Sequence, residues 1–166
     1  VTLKSYSRFE LAENQLEAAI GLFVSGGDRF SVITLAGAAD VILSRLVINS
    51  GKENFTELIL RDEVEQGGQV GTREIHGKEI NNTLFINQIK HMDDDDDGFI
   101  EMEPEECALA AILKVLANYI ILAGQQKKIV LEFKAWMKLN LDPKKYNVHF
   151  DLDWKPQVEA VNSSVE

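Results

Sequence analysis

The sequence has almost no cysteine, no excess of positive charge and no long uninterrupted apolar run, and each shortage closes off a class of protein. One cysteine, Cys107, leaves no internal disulfide and no cysteine-built zinc cluster. The reducing cytoplasm is the location this leads us to expect. No N-terminal stretch sets a basic segment ahead of an apolar one, so secretion is not expected and the Asn-x-Ser/Thr matches at Asn54, Asn81 and Asn162 carry no weight. The two most apolar stretches are interrupted by Asp40 and Arg45, and by Lys114 and Asn118. Neither reaches the roughly 18–20 uninterrupted apolar residues of a membrane span, so no membrane partner is expected. Also missing are a glycine-rich phosphate loop, a GxSxG elbow, an HExxH helix and a CxxC pair.

What is present is the composition of a globular chain, with 45% hydrophobic and 27% charged residues over 166 positions, enough for one domain with its own core. The net charge of −10 disfavours RNA or nucleotide partners, because binding to phosphate chains needs clustered Lys and Arg. The charge is uneven. Nine of the 27 acids fall between Asp93 and Glu106, while Lys127, Lys128, Lys134, Lys138, Lys144 and Lys145 gather later.

The periodicity is helical throughout. A first helix is predicted from Arg8 to Ser25, with Leu16, Ala19, Ile20 and Phe23 on one face and Gly26-Gly27 ending it. Asp28 is a natural N-cap for a second helix to Asn49, which Gly51 terminates. That helix is apolar nearly all round and therefore central, and its Ala36-Gly37-Ala38-Ala39 patch admits a close neighbour. A third helix is predicted over Glu53–Gln66, a fourth from a Thr72 cap to Met92, a fifth from Pro104 to Ala123 and a sixth over Lys127–Leu139. The expected fold is thus all-α, an antiparallel bundle of five to six helices over residues 1–142, followed by an irregular extension, 143–166, with a frayed tail.

The fourth helix and the loop after it concentrate the chemistry. At 100° per residue, Ile75, Phe85, Ile86, Ile89 and Met92 form a core stripe, and Arg73, His76, Ile80, Leu84, Asn87 and His91 a second, mixed one. The bland account of that second stripe is a partly solvated face; the functional one rests on histidine as the acid–base residue of neutral pH. In the loop, an EF-hand register puts Asp93, Asp95 and Asp97 at positions 1, 3 and 5, Gly98 at 6 and Glu101 at 9. Position 12, which calls for a bidentate glutamate, is Pro104. A calcium site of Asp93, Asp95, Asp97 and Glu101 therefore stands against a plain solvated acidic loop. Cys107 and His149 read as structural residues, and Phe133 with Trp136 as core or interface.

Three stretches, QLEAAIGLF, SVITLAGAADVIL and NQIKHMDD with the acid-rich start of the next helix, resemble a group of bacterial helical proteins across about Leu11 to Trp136. That group is similar in turn to HEPN domains (higher eukaryote and prokaryote nucleotide-binding). The resemblance implies a compact, often dimeric helical bundle of regulatory or defence type. It also implies, in active members, a metal-independent endoribonuclease carrying Arg-x(4–6)-His. Asn87, Lys90 and His91 match the Asn-x-x-Lys-His part. Ile86 stands where the arginine belongs, and Phe85 and Leu84 hold the alternative spacings. Cleavage of RNA needs a base and a cation to steady the phosphorane, so the resemblance implies activity lost or much weakened. The leading expectation is a non-enzymatic, homodimeric interaction module with no cofactor, meeting a protein or nucleotide-containing partner through the Asn87–His91 face. The alternatives are a residual nuclease or nucleotide-binding protein using His91, and a cation-binding helix–loop–helix at Asp93–Glu101.

Overall fold

A computed structural model describes residues 2–65, 73–92, 94, 96–142 and 145, excepting the side chains of 63 and 73–76. Among the described residues the chain forms seven helices and no strand: α1 (Arg8–Val24), α2 (Arg29–Asn49), α3 (Phe55–Glu65), α4 (Arg73–Thr83), α5 (Ile86–Lys90), α6 (Pro104–Ala123) and α7 (Lys128–Asn140). The all-α expectation holds. The irregular extension expected over 143–166 lies outside the described residues apart from Lys145, as do the residues 66–72 that were to hold the Thr72 cap.

Helix starts follow local side-chain chemistry. The Ser7 hydroxyl accepts from the Glu10 N–H at 3.0 Å, and the Asp28 carboxylate accepts from the Ser31 N–H at 2.7 Å. The hydrogen bonds from Ser31 hold the Asp28 carboxyl below its ordinary range. Helix α3 opens later than the spacing suggested because Asn54 and Glu57 cap it reciprocally. The Asn54 Oδ1 accepts from the Glu57 N–H at 2.9 Å, and the Glu57 carboxylate accepts from the Asn54 N–H at 3.0 Å.

The helix directions correct one expectation. A short turn makes α1 and α2 antiparallel, and Lys145 reaching Glu106 at 3.0 Å folds α7 back along α6. The central pair, however, runs parallel. Arg29 at the start of α2 meets Glu105 at the start of α6, while Lys52 just past α2 donates to the Ile121 carbonyl near the end of α6. Helices α1 and α2 thus run in opposite senses, as do α6 and α7, with α7 resting on α1 and with α3, α4 and α5 in the crossover between α2 and α6. Parallel neighbours need a long connection, and that is the work of the crossover.

The core is built on α2 and α6. Val32, Ile33, Ala36, Leu43, Ile112 and Val115 are fully enclosed, with Leu16 and Phe23 from α1 and Val130 and Phe133 from α7. Phe23 meets Phe133 and Trp136 edge-on, at 6.4 and 5.5 Å between ring centres, and the latter two stack at 6.0 Å. Such pairs each add about 0.5–1.5 kcal/mol beyond their buried area. Both α2 and α6 are long and apolar enough to cross a membrane by length and composition alone, and here both are core helices.

The predicted fourth helix is broken in two, which lifts the count to seven. At Phe85 the backbone turns left-handed, with φ 57° and ψ 14°. That conformation costs an L-residue about 1–2 kcal/mol. It delivers Ile86 onto α2 with 3% exposure, a burial that stabilises by about 1.5–3 kcal/mol and offsets the strain. A Cβ on Gly37 would lie 2.6 Å from the Ile86 Cγ2, so the small-residue patch of α2 is occupied by α5. The break interrupts both expected stripes, whose members Arg73, Ile75 and His76 lie outside the described side chains. Phe85 and Ile89 are half-buried and Met92 is 71% exposed, so the core face reduces to Ile86 with support from Ile89.

Candidate binding cleft

The interruptions in the two apolar helices meet in space. Lys114 of α6 donates its Nζ to the Asp40 Oδ2 of α2, and both residues are buried, at 4% and 5% exposure. The second Asp40 oxygen accepts from the Asn118 Nδ2 at 2.8 Å. Asn118, one turn beyond Lys114 and 2% exposed, accepts in turn from the Phe55 N–H at 2.8 Å, which anchors the start of α3. Lys114 also donates to the Asn81 Oδ1 of α4 at 3.0 Å. Asn54, besides capping α3, donates to the Ser44 Oγ at 2.8 Å.

The network closes most of its own hydrogen bonds, as buried polar groups must. Its upper side faces an open cleft of about 530 Å3. The cleft is lined on α2 by Asp40, Ser44, Arg45 and Asn49 and by the apolar Val41, Ile42, Leu46 and Ile48, then by Asn54 and Thr56 and by Gly77 and Asn81 of α4, with buried Lys114 beneath and exposed Arg8 at the rim. Gly77 has no side chain to fill the space, and the nearest atom to a Cβ placed there is 3.7 Å away. Arg8 and Arg45 have no carboxylate partner among the described residues.

The residues singled out in the sequence sit beside this cleft. Lys90 lies over Gly37, its Nζ 3.0 Å from where a Cβ would stand. Loss of water there holds its ammonium below its ordinary value, with Asp40 opposing the effect and Lys114 adding to it. Asn87 donates to the Asn82 Oδ1 at 3.0 Å, joining α5 to α4 across the break. His91 ends α5 in extended conformation and is exposed. Asn87, Lys90 and His91 thus remain close in sequence, but none lines the cleft.

In the acidic loop, Asp93 and Asp95 lie outside the described residues. Asp97 accepts from the Phe99 N–H at 3.0 Å, its neighbour Asp96 from the Gly98 N–H at 2.8 Å, and Glu101 is exposed. Among the described residues no group of three or more His, Cys, Asp or Glu is arranged around a metal position. Cys107 is half-buried, and burial pushes its thiol up from its ordinary value, which suits a packing role.

Sequence reasoning noticed Asp40, Lys114 and Asn118 as breaks in apolar runs and missed them as partners. The signal was there: a lone acid in one apolar helix and a lone base in another are each too costly to bury alone. Asn54 and Asn81 carried no comparable mark, because asparagine is ordinary at caps and on polar helices. Comparison with known proteins finds no matching family model, curated protein or solved structure.

Proposed function

We propose that the chain is a non-catalytic, HEPN-like interaction module whose recognition site is the cleft over Asp40 and Lys114. The observation that carries this reading is a charged pair kept in the core beneath an open cleft lined by polar and apolar side chains together. A buried ion pair contributes little to stability over a packed apolar pair, so its presence beneath an opening favours a role in recognition. The non-catalytic part rests on two residues. Ile86, at the position of the family arginine, is held in the core against Gly37, where a guanidinium would face apolar surroundings. His91 stands outside the cleft with no cation supplied from that position.

The test is incubation with a structured RNA, followed by gel analysis. The expected result is intact RNA with the wild-type chain and with His91→Ala alike. Cleavage that disappears in His91→Ala overturns the non-catalytic reading in favour of a residual nuclease. The homodimer belongs to the same proposal, and light scattering at micromolar concentration should return twice the chain mass.

A further inference from the structure

We infer that the cleft takes a small organic oxyanion, a phosphate monoester or a polycarboxylate. This rests on the cleft being a recognition site and adds the chemical class of what it recognises. The fold has already used some of the hydrogen-bonding groups around the cleft and left others open. The acceptors around the buried pair each already hold a bond from within: the Asp40 oxygens from Asn118 and Lys114, the Asn81 Oδ1 from Lys114, the Asn54 Oδ1 from the Glu57 N–H and the Ser44 Oγ from Asn54.

Donors are left over. Lys114 has three ammonium hydrogens and gives two to Asp40 and Asn81. The Asn81 Nδ2 and the Ser44 hydroxyl hydrogen have no acceptor among the described residues, and Arg8 and Arg45 stand unpaired at the rim in the sense given above. Spare N–H and O–H donors, with two guanidinium groups among them, suit a ligand rich in acceptor oxygens.

Charge points the same way. On a chain of net charge −10, the cleft gathers three cations, Arg8, Arg45 and Lys114, against one carboxylate, and that carboxylate is neutralised by Lys114. The excess of cations at the cleft attracts an oxyanion against the repulsion of the chain's net charge. At about 530 Å3 it exceeds the needs of an inorganic ion and suits a molecule of metabolite size.

The test is a titration of the full chain at low ionic strength, followed by amide shifts in 1H–15N spectra, with ribose 5-phosphate, citrate and neutral ribose as the three probes. Saturable binding of ribose 5-phosphate or citrate, with the Ser44 and Asn81 signals moving, is the expected result, and the better probe tells phosphate from polycarboxylate. The double variant Arg8→Gln/Arg45→Gln should weaken that binding at least about tenfold. Both side chains are exposed, so the variant should melt with the wild type, which separates a binding defect from an unfolded one. The inference is overturned by a failure of both anions to saturate, by equal binding of ribose, or by undiminished binding in the double variant. RNA left intact while no anion binds sinks this inference alone, whereas RNA cut by a chain that does bind anions sinks only the non-catalytic reading.

Discussion

Helices α2 and α6 are joined by ion pairs at two places, and the contrast between the two shows how burial changes what a charge pair does. At the N-terminal end, Arg29 meets Glu105 at 2.5 and 3.0 Å, donates to the Phe23 and Gly27 carbonyls, and lies 4.4 Å from the Phe23 ring centre. The Glu105 side chain is half exposed, so water and salt screen the pair. In the middle of the same seam, Asp40 and Lys114 are almost wholly enclosed. The outer pair decorates a contact that apolar packing already makes. The inner pair is held in place by Asn118 and Asn81, and neither charge can be removed alone without stranding the other.

The contrast can be broken most severely at Asp40. Asp40→Ala strands the Lys114 ammonium in the core, and urea unfolding should show a loss of about 3–5 kcal/mol. The double variant Asp40→Leu/Lys114→Met should recover most of that loss, since the cost lies in the unpaired charge. A double variant no more stable than the single one would mean that the pair itself stabilises the seam.

Next in size is Gly37→Ala, where the new methyl group meets the Ile86 Cγ2 and the Lys90 Nζ. Overpacking of this kind should cost about 1–3 kcal/mol and shift the amide signals of α5. An unperturbed spectrum would mean that α5 does not rest on α2.

A third polar link, between α1 and α6, sharpens the comparison through pH. The Tyr119 hydroxyl donates to the Glu13 carboxylate at 2.6 Å, and the ring is buried and stacked on Phe9 at 5.6 Å. Burial first, and Glu13 second, raise the phenol well above its ordinary value of 10.0. A raised folded value gives stability that is fully present below the unfolded value and is lost as pH climbs through the folded one. Between about pH 9 and about pH 11, wild type should therefore lose up to about 1.4 kcal/mol more than Tyr119→Phe in denaturant titrations. Parallel losses would show that the phenol ionises freely in the fold.

The smallest effect belongs to the outer pair. Glu105→Gln should cost less than about 1 kcal/mol, and the difference should shrink as salt is added. A salt-insensitive cost as large as that at Asp40 would erase the distinction between the two ends of the seam.

How much of this was legible before the structure depends on how local the signal was. The Asp28 cap, the glycine stops, the apolar spacing of α1 and the all-round apolar character of α2 are properties of a few consecutive residues, and such signals sufficed for five of the seven helices. The fourth helix failed because its continuity was inferred from a constant 100° step, and that step ends at Phe85, where burial of Ile86 against a glycine on another helix outweighs local strain. With the axis bent, the polar stripe that drew attention to Asn87 and His91 ceased to be a single face.

By itself, then, the sequence determined that the chain is helical, that its second predicted helix is central, and that its two most apolar stretches are broken by charged and polar residues. Hydrophobic periodicity and capping act over a turn or two, and both can be read along the chain. Only the tertiary structure decided that α2 and α6 run parallel and that Asp40 answers Lys114, 74 residues away. It also decided that the spare donors of Lys114, Asn81 and Ser44 open on one cleft. Helix direction and the pairing of distant charges depend on how the crossover returns the chain, and that is a three-dimensional solution with no one-dimensional pattern to announce it.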